Sequence, residues 1–226
     1  MPSLSSSLLK NLISAGFALG MLAGCASHSN GPPLPGLADR VELGAVPFYR
    51  GDEYQGSSLA LAALLTLQGV SITPGLLEPT LHLPKDVDGL PSAVPNAARE
   101  FGFMVYPLDP ALNALLAQVA AGYPVLLRYD AGSMVWSQPR YALLIGYDRY
   151  KRHVILRSGD ERRELLDFDA FASAWKKAGS WAVLVQRPTQ LPAQVDRQRW
   201  LRAASELGQA GHEQAAAQAV RAVAGH

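Results

Sequence analysis

The stretch of residues 46–67 (VPFYRGDEYQGSSLALAALLTL) constrains the fold most, because a polar turn containing glycine leads directly into a continuous apolar helix. Such a junction aims backbone N–H groups and one side chain into a cleft. Ser57 or Ser58 can cap the helix, since a hydroxyl accepts a hydrogen bond from an otherwise unpaired first-turn amide. The turn at residues 54–58 is therefore either a helix cap or part of a functional site.

The first 24 residues contain one basic side chain, Lys10, no acidic one, and an apolar run over residues 12–22. This composition is typical of a secretory signal peptide, and the run is too short to span a membrane. It ends in Leu-Ala-Gly-Cys, which resembles a lipobox and predicts acylation (palmitate) of Cys25. Ala26 and Ser27 follow, as in Gram-negative lipoproteins of the outer membrane, so we expect a lipid-anchored envelope protein facing the periplasm. The alternative is an ordinary signal peptide with Cys25 incidental.

Cys25 is the one cysteine of the sequence. Once it is acylated no free thiol remains, so we expect neither a disulfide nor a cysteine nucleophile. No CxxC or Cys/His cluster predicts a metal, and no cofactor is expected. Without the leader the 20 basic residues fall to 19 and equal the 19 acidic ones. This balance, with no basic run, argues against nucleic acid as a partner.

Residues 25–40 are rich in Ser, Gly and Pro and predict a tether, followed by a folded domain over residues 41–187. In that domain the apolar periodicity predicts helices first and then an antiparallel sheet, an α+β order. Pro95 leaves open whether one helix begins at residue 91 or only at Pro95. Further helices are predicted around residues 58–68, 74–79, 109–122 and 168–177, and strands at 103–108, 124–129, 141–147, 153–157, 162–166 and 181–186.

The tail, residues 188–226, predicts a linker and two alanine-rich helices over residues 195–207 and 213–223. Their pattern resembles one helical hairpin of a tetratricopeptide-type repeat. One repeat cannot bury its own faces, so it must pack on the main domain, pair with a second copy or bind a partner. The histidines of the tether and tail are expected to be surface residues: His28, His212 and His226.

Two motifs resemble the C39-like cysteine peptidases, specifically the bacterial lipoprotein branch of that papain-like family. The first matches at Val46, Pro47, Phe48, Tyr54, Gln55, Leu61 and Ala62. The second, RYALLIGYD at residues 140–148, is similar to the HYxxxxGYD strand of the family. The resemblance covers residues 46–185. It implies a papain-like domain with N-terminal helices packed on an antiparallel sheet, to which the C-terminal α-hairpin is added.

The resemblance also shows which chemical groups are replaced. The oxyanion glutamine of the family falls on Gly51, the nucleophilic cysteine on Gly56 and the histidine base on Arg140, while the third catalytic residue falls near Ser158. Glycine has no side chain, and an arginine does not deprotonate at physiological pH. We therefore predict a degenerate peptidase without catalytic residues.

A degenerate domain of this kind keeps a groove, so we expect it to bind an extended segment of an envelope protein or peptide as an adaptor. The groove candidates are Gln55, Gly56, Ser57, Trp136 and Arg140. A permanent guanidinium would favour a carboxylate ligand. Two alternatives stay open: Arg140 pairs with a local acid such as Asp130 or Asp148, and Trp136 with Met134 covers the core rather than the groove.

The competing hypothesis is an active hydrolase with a relocated serine nucleophile. Ser57 or Ser58 would attack, with His153 or His82 as the base. Against it, His153 lies beside Lys151 and Arg152, where a solvated surface histidine is the usual state.

Overall fold

A computed structural model describes residues 36–83, 85, 88–132 and 136–225. Several predictions from the sequence fall outside the described residues: the signal peptide, residues 26–35 of the tether, Cys25, His28, Met134 and His226.

The described residues contain one antiparallel sheet of seven strands in which β4 is central. The strand order is β2-β7-β3-β4-β5-β6, and β1 pairs with the second half of β4, beyond the end of β3. The nearly continuous apolar run of β4 predicted a strand buried on both faces, and this is confirmed. The strands are β1 (Arg40–Glu42), β2 (Met104–Pro107), β3 (Val125–Asp130), β4 (Pro139–Asp148), β5 (His153–Ser158), β6 (Glu161–Asp167) and β7 (Ala182–Gln186).

The helices follow the predicted order, and the α+β class is confirmed. Pro95 lies inside its helix, so the helix does not begin there; Pro91 occupies the first turn, where proline is tolerated. In the part of the chain that the structure describes, no helix is long and apolar enough to cross a membrane. The helices are α1 (Gly56–Leu67), α2 (Pro74–Leu77), α3 (Leu90–Glu100), α4 (Leu112–Ala120), α5 (Phe168–Lys177), α6 (Arg197–Gln209) and α7 (Glu213–Ala224), with a 3-10 turn at Glu53–Gln55.

Helix α1 is the centre of the core on one face of the sheet. Its first ten residues are all buried, as expected for a helix that is apolar on every side. It packs on β4 and against α2 and α3. Each fully buried leucine contributes about 1.5–3 kcal/mol through burial. The cluster includes Leu61, Leu64, Leu65, Val94, Leu143 and Ile145.

Side chains along each strand alternate between the two faces of the sheet. On the face opposite α1, helices α4 and α5 pack against β3, and α6 packs against β2. The C-terminal hairpin is fixed there by Trp200, whose indole N–H donates to the Ala219 carbonyl at 2.8 Å. The Trp200 ring contacts Tyr106 of β2, with 6.1 Å between ring centroids. Of the three options that the sequence left open for the hairpin, the structure shows packing on the main domain.

The folded unit begins before the predicted boundary at residue 41, at Gly36. Arg149 explains this difference. Its N–H donates to the Asp39 carbonyl at 2.8 Å, and its guanidinium donates to the Leu37 carbonyl at 2.9 Å. Because β1 also pairs with backbone groups of β4, residues 36–40 of the predicted tether belong to the folded unit.

Candidate functional site

A 3-10 turn leads directly into α1, and the Gln55 side chain completes the capping box of that turn and makes no cap bond to α1 itself. The Gln55 N–H donates to the Asp52 carbonyl at 3.0 Å, and the Gln55 side-chain oxygen accepts from the Asp52 N–H at 2.9 Å. The amide nitrogen of Gln55 donates to Glu78 at 2.6 Å. Gln55 stands at the N-cap position and Gly56 is the first helical residue. The expectation that Ser57 or Ser58 caps the helix is therefore wrong.

Both serines are buried. Ser57 is 1% exposed and Ser58 is 0% exposed. The Ser58 hydroxyl donates back to the Gln55 carbonyl at 2.9 Å, and the Ser57 hydroxyl has no partner. Among the described residues, neither His82 nor His153 bonds to a serine of this turn. A nucleophilic serine needs a base within hydrogen-bond reach, so the relocated-serine hypothesis gains no geometric support.

Gly56 lies directly against the backbone of β4. A Cβ atom at this position would be 3.0 Å from the Tyr141 carbonyl oxygen and 3.5 Å from the Tyr141 nitrogen. At Tyr141, strand β4 is paired with Arg128 of β3, so the neighbouring atoms are strand backbone, which yields less readily than the end of a side chain. Glycine is therefore a packing requirement at the position where the resemblance implies a cysteine.

Gly51 is also enclosed. A Cβ atom there would lie 2.6 Å from the side-chain oxygen of Gln55. The amide of Gln55 thus occupies the space beside Gly51, and both ends of this amide already have bonds, to Asp52 and Glu78.

Arg140 forms an ion pair with Glu53 of the 3-10 turn. Gln138 donates to the same carboxylate, and its own side-chain oxygen is 3.4 Å from the Arg140 guanidinium. The sequence left open that Arg140 pairs with a local acid. That acid is Glu53 and not Asp130 or Asp148. Because Glu53 is far from Arg140 along the chain, periodicity could not reveal the pair.

Asp130 organises the loop before β4. Its buried carboxylate accepts from the N–H groups of Gly132 at 2.7 Å and Gln138 at 3.1 Å, and from the Ser137 hydroxyl. The Lys177 ammonium lies 3.2 Å away. The Ser137 hydrogen bond and the two backbone bonds hold the pKa of Asp130 well below its usual range, against the opposing effect of burial. Sequence reasoning missed this role.

The loop held by Asp130 carries Trp136, whose side chain is 71% exposed. Gln138, two residues later, contacts Glu53, and the exposed Tyr54 follows Glu53. The contacts of Glu53 thus join its own turn to the residues just before β4. Each of these two segments carries one exposed aromatic side chain, Tyr54 in the first and Trp136 in the second. Trp136 does not cap the core.

Ser158 is part of a buried polar chain. Its hydroxyl is 2.9 Å from the Tyr129 hydroxyl, which donates to the Glu164 carboxylate at 2.7 Å. Burial raises the pKa of Tyr129, so the phenol stays neutral at physiological pH. Through these hydrogen bonds the Ser158 side chain helps to hold β3, β5 and β6 together.

A narrow cavity lies between α1, residues 47–49 and the end of β5. The volume open to the centre of a water-sized sphere is about 10 Å³, which is about the volume that one water molecule requires. Arg157, which sequence reasoning also missed, lines it; the only sequence signal is a charged residue at an inward position of β5. The lining residues are Pro47, Phe48, Tyr49, Gly56, Leu59, Ala60, Ala63, Leu143, Arg157, Ser158 and Gly159.

Residues that could hold a metal do not cluster in the part of the chain that the structure describes. No group of three or more His, Cys, Asp or Glu residues lies there in a suitable arrangement.

Comparisons with known proteins identify the fold. The crystal structure of a protein from Bacillus anthracis, described as a C39-like peptidase, matches with a TM-score of 0.55 and 18% identity, over 66% of this chain and 98% of that chain. The peptidase domain of Streptococcus ComA, a bifunctional ABC transporter, matches with a TM-score of 0.48 and 17% identity, over 62% and 97% of the two chains. No protein-family model and no curated protein matches the chain. The first match confirms the C39 peptidase-like fold.

The contact at Gly56 makes a testable prediction about stability. Alanine normally stabilises a helix relative to glycine by up to about 1 kcal/mol, but overpacking costs about 1–3 kcal/mol. Because the neighbour is strand backbone, we expect Gly56→Ala to lower the free energy of unfolding by about 1 kcal/mol in urea titrations. The control is Gly208→Ala in α6, where a Cβ atom meets only the Ala216 side chain at 3.5 Å. This variant should gain about 0.5 kcal/mol; a gain at both positions would contradict the steric argument.

The low pKa of Asp130 makes a second prediction, on pH dependence. A carboxyl group whose pKa is lowered on folding stabilises the protein above its unfolded pKa of about 3.9, and that stabilisation is lost as the pH falls below it. We expect Asp130→Asn to cost about 2 kcal/mol at pH 7, since bonds to charged groups are worth about 1.5–3 kcal/mol. Its urea midpoint should also fall less steeply than that of the parent below about pH 4. The exposed Asp160→Asn serves as control, and parallel pH curves for Asp130→Asn and the parent would refute the assignment.

Proposed function

We propose that this chain is a catalytically degenerate C39 peptidase-like lipoprotein that binds an extended segment of an envelope protein without cutting it. The observation that carries the proposal is the position of Gly56. At the helix start, where the resemblance implies a nucleophile, there is no side chain, and a Cβ atom would lie 3.0 Å from the Tyr141 carbonyl oxygen, tighter than ordinary van der Waals contact.

The neighbouring groups agree with a loss of catalysis. Nucleophilic acyl transfer needs a base beside the nucleophile and donors for the developing oxyanion. The resemblance assigns the base position to Arg140, whose guanidinium is paired with Glu53 and offers hydrogen-bond donors but no acceptor. The Gln55 amide, the nearest substitute for an oxyanion donor, is bonded to Asp52 and Glu78.

Binding is supported by two exposed aromatic side chains, Tyr54 and Trp136, on the segments that Glu53 joins through Gln138 and Arg140. Tryptophan and tyrosine are enriched among the residues that dominate protein recognition, since they offer a large rigid contact area. Trp136 lies between Asp130 and β4, and the buried Asp130 carboxylate accepts from the N–H groups of Gly132 and Gln138 on either side of it. An extended segment can add backbone hydrogen bonds that need no catalytic residue.

The proposed location follows from the sequence. Acylation of Cys25 would anchor the chain in the envelope, and Ala26 and Ser27 favour the outer membrane with the domain facing the periplasm. Stable attachment takes more than one acyl chain, which a lipobox cysteine provides in bacterial lipoproteins of this kind.

Metabolic labelling tests the anchor. Cells that express the full-length chain should incorporate labelled palmitate into it and retain it in the membrane fraction. Cys25→Ala should remove both signals, whereas Ser27→Ala should keep the label. Palmitate incorporation that survives Cys25→Ala would refute lipidation at this residue.

A single binding experiment tests the proposed activity. The full-length chain, purified in detergent, is incubated with a pool of synthetic random dodecapeptides, and mass spectrometry identifies both the retained peptides and any fragments. We expect retained intact peptides, and an affinity for the best peptide that falls about tenfold or more in Trp136→Ala, as for a recognition hot spot. Tyr150→Ala is the matched control, because Tyr150 is 93% exposed and lies beyond the opposite end of β4.

Two outcomes would overturn the proposal. Peptide fragments that accumulate with time would show that the domain hydrolyses peptides. Equal losses in Trp136→Ala and Tyr150→Ala, or no retained peptide, would show that the region beside Gly56 is not a peptide-binding site.

A further inference from the structure

The turn between β4 and β5, residues 149–152, presents a large aromatic side chain to solvent. Tyr150 is 93% exposed, and the exposed Lys151 follows it. The Asp148 carboxylate accepts from the Lys151 N–H at 2.9 Å and so helps to close the turn. A single exposed aromatic residue is ordinary on a protein surface, so its meaning depends on where it stands.

The amino-terminal end of the folded unit lies directly beside this turn. The Arg149 N–H donates to the Asp39 carbonyl at 2.8 Å, and the Arg149 guanidinium donates to the Leu37 carbonyl at 2.9 Å. The folded unit begins at Gly36, one residue before Leu37. The chain therefore enters the domain next to Tyr150.

Covalent geometry limits the distance between the proposed anchor and this turn. Eleven residues, 25–35, precede Gly36. Because a fully extended chain spans at most about 3.6 Å per residue, Cys25 lies within about 40 Å of Gly36. Acyl chains on Cys25 would keep this end of the domain within that distance of the membrane, so the surface that borders the tether is the one that meets the lipid headgroups most readily.

Lys151 is the basic side chain of the turn that no acid holds. Arg149 pairs with Asp39 at 3.5 Å, and Arg152 pairs with Asp169 at 3.0 Å. Among the described residues, the Lys151 ammonium forms no ion pair. Tyrosine is enriched at membrane–water interfaces, where its ring lies at headgroup level, and a nearby lysine is attracted to anionic lipid.

We infer that the β4–β5 turn, through Tyr150 and Lys151, is the surface by which the domain contacts the anionic phospholipid leaflet that holds its acyl chains. The tyrosine ring lies among the headgroups, and the ammonium group approaches the lipid phosphates. This inference rests on the proposed acylation of Cys25 and adds an orientation of the domain to it.

The orientation keeps the candidate peptide site accessible. Strand β4 has ten residues between the turn and the segment that carries Trp136, which corresponds to about 30 Å at the spacing of an extended strand. With Tyr150 at the headgroups, the Trp136 end of β4 lies farther from the membrane. An extended segment of another envelope protein can therefore reach it from the periplasm.

Paramagnetic broadening of amide signals tests the contact. The acylated chain, produced in cells and labelled with ²H and ¹⁵N, is placed in nanodiscs of phosphatidylethanolamine and phosphatidylglycerol in which a small share of the lipids carries gadolinium at the headgroup. We expect strong broadening in the turn and little at Gln138, beyond the other end of β4. Lys151→Gln should lower the ratio of docked to free domains about fivefold, the effect expected of one basic residue near an anionic surface. Tyr150→Ala should also reduce the broadening of the turn.

The matched control is Trp136→Ala, which removes the exposed aromatic side chain at the other end of β4. This variant is expected to weaken peptide binding and should leave the broadening of the turn unchanged. Nanodiscs of phosphatidylcholine, which carry no net charge, should give weaker broadening, because the attraction of Lys151 to anionic lipid is lost.

The outcomes separate this inference from the proposed function. Equal broadening at both ends of β4, equal effects of Tyr150→Ala and Trp136→Ala, or equal broadening in the uncharged nanodiscs would overturn the contact with anionic lipid, while retained intact peptides would still support the adaptor. Broadening confined to the turn in a protein that retains no peptide would support the contact and refute peptide binding. A chain that incorporates no palmitate would refute both the anchor and the contact.

Discussion

The close contact between the first residue of α1 and the carbonyl of Tyr141 determines the character of the whole site. Helix α1 is buried along its first ten residues, so its position is set by the core and not by the turn before it. Because the helix meets the backbone of β4 at Tyr141, which is paired with β3, a side chain at the junction would be crowded. The polar groups around it are consequently used to stabilise the junction: Gln55 bonds to Asp52 and Glu78, and Glu53 pairs with Arg140.

Charged residues divide into two kinds in this region. Exposed pairs such as Arg140 with Glu53 contribute little free energy, typically about 0–1 kcal/mol, and mainly fix the relative position of two segments. Asp130 is buried, and its carboxylate accepts from Gly132, Ser137 and Gln138, so it joins the end of β3 to the residues just before β4. Arg157 is buried, and its Nε and Nη1 atoms both lack an acceptor among the described residues, whereas Arg140 lacks one only at Nε.

The sequence predicted most of the fold and little of the site. Periodicity and glycine positions located α5 at residues 168–177 and the central strand β4, because local patterns determine both. The C39-like resemblance supplied the arrangement, which the comparison with the Bacillus anthracis structure confirms. The pairs Arg140–Glu53 and Ser158–Tyr129 join residues that are distant along the chain, so no local pattern reports them. The serine cap failed because the 3-10 turn at Glu53–Gln55 runs directly into the helix, which begins at Gly56, two residues before the predicted start.

The outer strand β6 pairs only with β5 among the described strands, and therefore offers a row of open backbone groups along its other side. An open edge of this kind invites association with the strands of other molecules. The sequence of β6, ERRELLD, places charges at five of its seven positions. Charged side chains at an edge discourage such pairing, because a second copy would bring like charges together and desolvate them. The same strand that completes the sheet thereby protects a crowded protein surface from self-aggregation.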